Sequence, residues 1–404
     1  MERSFALVLM FFRNIYGTFP RCRVLMVPFI VGRKKLIHGY YSPPLNQSII
    51  QRLRIGKIFY VFLLFIPLSI ISALIIKNDT LTFLFCILAI VPLARIMGYT
   101  TKEISLQTNP TMSGLLSATF GNAIELIIAV FALQAGLIAV VQASIIGSII
   151  GNILLLIGLS LFTGGLRFKN QRFNNETIAV SSTMLIIVVA GLAIPSVYYY
   201  LNPSSHHIQE ISISVAIVMT LIYIAGLVFS LRTHKDLFDA SDEMKATHER
   251  ATMSKRLAAS ILLLAVIVVA VISEFLVHAI ENAAVDIGIT QTFIGIVIIA
   301  IITNIAEKST AVHFALENKL DVSIEIGLSS AIQIALFVVP ILMLISQIFN
   351  FGFSLVFTPF EILAVILAVL IVNYLSGDGR CNWLEGAQLI SVYAIIAIAF
   401  FFVS

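Results

Sequence analysis

Two copies of an Asn-x-x-Glu motif lie within apolar stretches of the chain, at Asn122 and Glu125 and again at Asn304 and Glu307. Residues three apart share one face of a helix, so each motif sets an amide beside a carboxylate. An acidic side chain at the centre of a membrane costs roughly 2.5–3.5 kcal/mol on insertion scales, and its default interpretation is functional. Because the motif occurs in both halves of the chain, we expect the two copies to form one shared site.

Two carboxylates that meet in a medium of low dielectric constant cannot both stay ionised unless a cation bridges them or one takes up a proton. A cation and protons then compete for the same oxygens, so that loading one expels the other. Carboxylate, amide and backbone carbonyl oxygens suit a hard cation such as Ca²⁺, and the chain has no His or Cys cluster that would favour a softer metal. Gly121 weakens the helix before Asn122 and can free carbonyls for the ion.

Further polar residues extend the candidate site. Each motif is followed by an apolar span that carries a few polar residues. These are Ser148 and Asn152 in the first half and Ser330 and Gln333 in the second. For Asn152 and Gln333, a site role and a packing role both stay open. Glu274 is another acid at membrane depth, and we interpret it as functional. The small residues nearby are interpreted as helix-packing positions: Gly147, Gly151 and Ser329.

The composition is that of a polytopic membrane protein. Hydrophobic residues make up 59% of the chain and charged residues 11%, with a mean hydropathy of +1.03, whereas soluble domains are roughly 25% charged. The three cysteines form no CxxC pair and indicate neither disulfides nor structural zinc. We expect a protein embedded in the lipid bilayer, with no cofactor and no nucleic-acid partner. Whether it forms a homo-oligomer stays open.

Apolar stretches long enough to cross about 30 Å of hydrocarbon follow one another from residue 58 onward. The expected fold is therefore all-α and polytopic, with about 11 transmembrane helices. They lie near residues 58–77, 81–98, 113–135, 138–163, 177–198, 211–231, 256–278, 290–315, 322–347, 357–375 and 386–403.

The distribution of Lys and Arg predicts the orientation of these spans. If the N-terminus is cytoplasmic, alternation puts nearly every basic loop residue on the cytoplasmic side, as the positive-inside rule requires. Lys77 alone sits at an outer boundary. The residues placed inside are Arg167, Lys169, Arg172, the bases of 232–256, Lys319 and Arg380.

The span count also predicts an internal repeat. With the first span set aside, five lie before the polar loop 232–255 and five after it, which gives the two halves opposite orientations, as in many secondary transporters. The expected organisation is a basic segment (1–57), a first helix (58–80), one repeat (81–231), a cytoplasmic linker (232–255) and a second repeat (256–404).

Residues 1–57 carry ten basic residues against the single acid Glu2. Three interpretations stay open for this segment. It can be a cytoplasmic segment that faces anionic lipid, an Arg-rich organellar transit peptide, or an extension without a role.

The motifs together resemble those of the cation/proton exchangers of the CAX type. The run 114–129, Gly-Leu-Leu-Ser-Ala-Thr-Phe-Gly-Asn-Ala-Ile-Glu-Leu-Ile-Ile-Ala, is similar to the first family signature. The resemblance covers residues 58–404 and implies an eleven-span fold, a central Glu pair that binds Ca²⁺, and export of Ca²⁺ in exchange for H⁺. The other segments that carry it are 142–148, 273–277, 293–295, 304–307, 318–321 and 333–338.

Four positions depart from the family pattern. In the second signature, Thr303 stands where Gly is usual and Lys308 where His is usual, while Lys102 and Glu325 replace an acid and a small residue. A β-branched Thr is stiffer than Gly, so the break before Asn304 is expected to differ. Lys308 places a potential counter-ion beside Glu307. These changes leave the fold intact and leave the ion selectivity open, so Lys308 and Lys102 join the candidates for ion pathway or coupling.

The leading hypothesis is a Ca²⁺/H⁺ exchanger in which Glu125 and Glu307 bind the cation with help from Asn122 and Asn304. The alternatives are an exchanger of the same fold for Mn²⁺ or Mg²⁺, a Na⁺-coupled one, and a non-transporting relic. A membrane-embedded hydrolase is disfavoured because the chain has no intramembrane Asp pair and no His-Glu-x-x-His motif. The host membrane is the cell membrane in a prokaryote, or a vacuolar or other organelle membrane in a eukaryote.

Overall fold

The computed structural model describes residues 57–169, 171–203, 206–234, 251–375 and 379–402. The predictions for the basic N-terminal segment and most of the linker fall on residues 1–56 and 235–250, outside the described residues. The chain divides into two compact units, Met1–Leu64 and Phe65–Ser404. In the first unit the described element is helix α1 (Lys57–Leu63).

The second unit is built from helices. Helix α2 (Phe65–Ile71) continues as a π-helical turn (Ser72–Ile76), and a short ribbon pairs β1 (Gln171–Arg172) antiparallel with β2 (Arg380–Cys381). The remaining helices are α3 (Asp79–Ser105), α4 (Pro110–Gly121), α5 (Ala123–Gln134), α6 (Ile138–Arg167), α7 (Asn175–Leu201), α8 (Ile208–Thr233), α9 (Lys255–Ile287), α10 (Gln291–Thr303), α11 (Ile305–Leu316), α12 (Leu320–Phe349), α13 (Pro359–Leu375) and α14 (Trp383–Phe402).

The same series of elements occurs twice along the second unit. A long helix, a bent pair, a 30-residue helix and two further helices appear as α3 to α8 and again as α9 to α14. Among the described residues, seven helices are long and apolar enough to cross a membrane, and the two bent pairs raise that number to nine. The prediction of an all-helical, multi-pass membrane protein is confirmed, whereas the count of 11 and the extra N-terminal span stay predictions.

Several helices begin at polar residues that satisfy the free backbone N–H groups of the first turn. Asn78 accepts a hydrogen bond from Leu81 N at 2.8 Å at the start of α3, and Asn109 does the same for α4. Ser254 caps α9, which ends at Gly288 in the left-handed conformation. Local sequence thus determines where these helices start.

Close helix crossings bring the two series together. A β-carbon added at Gly147 on α6 would lie 2.2 Å from the Ile296 carbonyl oxygen on α10. One added at Gly295 on α10 would lie 2.8 Å from the Val140 carbonyl oxygen on α6. Only glycine permits this approach of two backbones, as is common between transmembrane helices. The predicted packing role of Gly147 is confirmed.

Candidate cation site

Both Asn-x-x-Glu motifs lie at breaks between helices. The helix axis bends by 44° at Asn122, between α4 and α5, and by 57° at Asn304, between α10 and α11. Glu125 and Glu307 then fall in the first turn of α5 and α11. The stiffer Thr303 has not removed the second break, which lies at the same position of the motif and is the sharper of the two.

Each glutamate lies at the break of the other motif. Glu307 Oε1 is 3.8 Å from the position of a β-carbon at Gly121, and the Glu125 carboxylate lies against the Thr303 hydroxyl. Gly121 and Thr303 occupy the same position, immediately before the Asn of their motifs. The two carboxylates are within electrostatic reach of each other. The two motifs therefore meet in the described structure, and their role as one shared cation site stays a prediction.

Oxygen atoms of the motifs lack hydrogen-bond partners. Asn122 Oδ1, Glu125 Oε2 and Glu307 Oε2 are buried and accept no hydrogen bond from any described residue. Buried polar atoms are nearly always satisfied, so these three open acceptors call for a partner that the described residues do not supply. Oxygens of this kind are the ligands of hard cations.

A small cavity of about 10 Å³ borders Glu125. Its size is close to the ~10–15 Å³ that one water molecule requires, so it has room for a single small species. Ser148 and Thr303 line it together with apolar side chains. The full lining is Glu125, Ile128, Ala129, Ser144, Ile145, Ser148, Ile299, Thr303, Ile334, Val338 and Leu342.

Gln333 fixes the orientation of the first motif. Asn122 Nδ2 donates to Gln333 Oε1 at 2.8 Å, and Gln333 Nε2 donates to Ser329 Oγ at 3.1 Å. Since the Asn122 amide nitrogen is engaged in this way, its oxygen is the atom left open. The structure thus places Gln333 at the site. Of the two roles that the sequence left open for this residue, a site role and a packing role, the contact with Asn122 favours the site role.

Asn152 and Asn304 form the centre of a second polar network. Asn152 Nδ2 donates to Asn304 Oδ1 at 3.2 Å and to Ser330 Oγ at 2.8 Å. Asn304 Nδ2 donates to Ser148 Oγ at 3.2 Å. All four side chains are buried. Because the Asn304 oxygen already accepts a hydrogen bond, the two motifs differ in the oxygens they leave open.

Lys308 lies inside this network. Its side chain is buried, and Nζ is 3.4 Å from both Asn152 Oδ1 and the Ala300 carbonyl oxygen. At the helix break the Asn304 backbone N–H bonds to Ile302 O, and the Ala300 carbonyl accepts a hydrogen bond from Asn304 Nδ2 at 3.1 Å instead. The matching residue of the first motif is the apolar Leu126. The site therefore has an ammonium group on one side only.

Two candidates lie away from this cluster. Glu274 is exposed on α9, and Lys102 is exposed in the last turn of α3. Neither is among the groups that act electrostatically on Glu125 or Glu307 in the described part of the chain. The structure does not bring these two residues to the central site, because their helix positions turn them outward.

Two features of the site have no clear signal in the sequence. The π-helical segments Gly151–Leu156 in α6 and Ile334–Val338 in α12 start at or beside Asn152 and Gln333. Such wide turns are frequent at functional sites and change which face of a helix a side chain occupies. The contact between Thr303 and Glu125 was also unforeseen, since Thr303 stood out only as a departure from the family pattern. Gly151 is the one local hint of the irregular turn.

The chain matches a family model described as sodium/calcium exchanger protein over residues 78–232 and 257–402. The two matched segments correspond to the two series of helices in the second unit. The family resemblance seen in the motifs is thereby confirmed.

Individual relatives agree with this match. The Ca(2+)/H(+) antiporter of Synechocystis sp. is 41% identical over 363 residues, which cover 86% of this chain and 98% of that protein. The Ca(2+)/H(+) antiporter ChaA of Bacillus subtilis is 40% identical over 349 residues, covering 86% and 99%. The solved structure of native YfkE has a TM-score of 0.76 at 38% identity and covers 86% of this chain and 100% of its own.

Proposed function

Because this chain belongs to the sodium/calcium exchanger protein family, we propose that it moves Ca²⁺ across a membrane in exchange for H⁺. Its family makes it a transporter rather than an enzyme, and Ca²⁺ and H⁺ are its substrates. The observation that carries the proposed site is the set of three buried oxygens without partners: Asn122 Oδ1, Glu125 Oε2 and Glu307 Oε2.

In the proposed cycle, Ca²⁺ binds between Glu125 and Glu307 and neutralises both carboxylates. When Ca²⁺ leaves, protons take its place, because two bare carboxylates at this depth are unfavourable. Transport in either direction then requires that the occupied site be exposed to one side at a time. Asn122 adds a neutral oxygen ligand, and Asn304 holds Ser148 in place beside Glu125.

Lys308 gives the proposed exchanger a tethered positive charge. Its ammonium group lies within electrostatic reach of both glutamates and contacts Asn152 and the Ala300 carbonyl. We infer that it partly offsets the carboxylate charge when Ca²⁺ is absent and competes with Ca²⁺ when the ion arrives. We therefore expect the ion affinity or the proton coupling of this protein to differ from that of relatives that carry a His at this position.

The proposed topology has 11 spans. The nine candidate spans, the shorter apolar helix α13 and the apolar stretch 58–77 support that number. In this arrangement, α3–α8 and α9–α14 are two inverted repeats of five spans, joined by the linker 232–255 on the cytoplasmic side, with the N-terminus cytoplasmic. The host is the cell membrane of a prokaryote or the vacuolar or another organelle membrane of a eukaryote.

Transport into proteoliposomes tests the proposal. With an imposed pH gradient, uptake of ⁴⁵Ca²⁺ should depend on the gradient and should be lost in Glu125→Gln and in Glu307→Gln. Glu281→Gln serves as the matched control, because Glu281 is an exposed acid on α9. Uptake that survives both central changes would refute the role of the glutamate pair.

A further inference from the structure

A second pair of acids lies near the start of α12. Asp321 and Glu325 are one helical turn apart and border a cavity of about 10 Å³ between α12 and the beginning of α7. No Lys, Arg or His is among the described residues that line it. The lining residues are Asn174, Thr177, Ile178, Ser181, Asp321, Glu325 and Leu328. This cavity is separate from the one beside Glu125, with which it shares no residue.

Several oxygens around the cavity are open. Within the described structure, Glu325 forms neither a hydrogen bond nor an ion pair, and its strongest charged neighbour is Asp321, which has the same sign. Asp321 accepts one hydrogen bond, from the Asn174 backbone N–H. Two like charges side by side without a base are unfavourable unless a cation joins them or one carboxylate takes up a proton.

Ser181 supplies an independent indication of a ligand. Its side chain is only 9% exposed and lines the cavity from α7. No hydrogen bond joins the Ser181 hydroxyl to another described residue, so its oxygen is open toward the cavity that Ser181 lines. Thr177, one helical turn earlier and also buried, adds a second hydroxyl to the lining.

We propose that this cavity is a second cation site, which takes a divalent ion such as Ca²⁺ on Asp321, Glu325 and the hydroxyl of Ser181. Two carboxylates with neutral oxygens form a hard-ligand set. A site of this size admits one ion, with the remaining ligands coming from solvent at the partly exposed carboxylates. The proposal rests on the proposed function only for the identity of the ion.

The site is placed to load the central one. Glu325 precedes Ser330 and Gln333 on the same helix by five and eight residues, which is roughly 7 and 12 Å along the axis at 1.5 Å per residue. A negatively charged recess at this distance raises the local concentration of cations near the central site. Loss of such a site should therefore weaken the apparent affinity for Ca²⁺ more than the maximal rate.

Binding to the full-length protein in detergent tests the site directly. The double variant Glu125→Gln/Glu307→Gln removes the central carboxylates, so equilibrium dialysis with ⁴⁵Ca²⁺ should still find about one Ca²⁺ per chain. Adding Glu325→Gln should abolish that binding, and adding Ser181→Ala should weaken it. Adding Glu176→Gln, at an exposed acid in the first turn of α7, should leave it unchanged. A double variant that binds no Ca²⁺, or binding that survives Glu325→Gln, overturns the proposal.

Transport gives a second measurement. In proteoliposomes, Glu325→Gln should raise the Ca²⁺ concentration for half-maximal uptake about threefold or more while the maximal rate is retained. An unchanged concentration contradicts the loading role. Ser181→Ala provides a milder variant whose folding is easier to preserve. If the parent protein fails to exchange Ca²⁺ for H⁺, the proposed function fails, but the dialysis experiment still decides whether this site exists.

Discussion

Glu307 Oε1 lies 3.8 Å from the position that a β-carbon would take at Gly121, in the break of the other motif. The reciprocal contact joins Glu125 to Thr303, the residue that matches Gly121 in the second motif. Each carboxylate is thus held against the interrupted backbone of the opposite repeat. A site built in this way exists only when both breaks and both repeats are in place.

Gly121→Ala should weaken Ca²⁺ binding without unfolding the protein. The added methyl meets Glu307 at an ordinary contact distance, but it covers one side of the carboxylate and restricts the approach of an ion. We expect the half-maximal Ca²⁺ concentration for uptake to rise by about tenfold, equivalent to ~1.4 kcal/mol. Gly147→Ala is the contrasting variant, since its β-carbon would lie 2.2 Å from Ile296 O and should cost about 1–3 kcal/mol of stability. Equal losses of thermal stability in both variants would contradict a site role for Gly121.

Lys308→Met should strengthen the apparent binding of Ca²⁺. The change removes the buried ammonium group that lies beside the two glutamates and is proposed to compete with the ion. Half-maximal uptake should then occur at a lower Ca²⁺ concentration. Lys102→Met is the matched change at an exposed lysine and should have no such effect. If both changes act alike, the effect comes from net charge rather than from the position of Lys308.

Acidification on the side that supplies Ca²⁺ should weaken uptake. Protons and Ca²⁺ compete for the oxygens of Glu125 and Glu307, so the half-maximal Ca²⁺ concentration should rise as the pH falls. Replacement of Lys308 by His, as in Lys308→His, should shift the pH optimum or the ion selectivity. An unchanged pH profile and selectivity in that variant would make Lys308 a bystander.

Asn152→Ala should destabilise the protein. Asn152 bridges Asn304, Ser330 and Lys308, and its loss leaves buried groups without partners, at a cost of about 1–3 kcal/mol each. Thermal unfolding in detergent measures the change. Ser160→Ala, on the same helix, is the control, because the buried Ser160 hydroxyl has no hydrogen-bond partner among the described residues. A stability loss as large in Ser160→Ala would show that only packing in α6 matters.

The proposed orientation is tested by labelling from one side of the membrane. In a background without the native cysteines, Arg172→Cys should react with an impermeant maleimide from the cytoplasmic side and His206→Cys from the opposite side. Both positions are exposed and lie at opposite ends of α7. Labelling of both from the same side would exclude the alternation that the basic residues predict.

Composition and hydropathy predict the class of the protein and its series of helices, and the two Asn-x-x-Glu motifs supply the acids of the candidate site. Each span must satisfy its own backbone hydrogen bonds in lipid, so it forms a helix whatever its neighbours are. The hydropathy of a span and the Lys and Arg residues beside it can therefore be read from the local sequence. A carboxylate at membrane depth also stands out without knowledge of its neighbours, which is why Glu125 and Glu307 were identified. For Asn152 and Gln333, the sequence leaves open whether the side chain faces the site or a neighbouring helix.

How the residues of the two motifs contact one another depends on tertiary packing. The contacts of Glu307 with Gly121 and of Glu125 with Thr303 join residues about 180 apart in the chain, and no periodicity encodes such a pairing. The wide turns beside Asn152 and Gln333 depend on packing between helices, as does the burial of Lys308. The outward position of Glu274 and Lys102 has the same origin, since a charge in an apolar stretch does not reveal which side of its helix is covered.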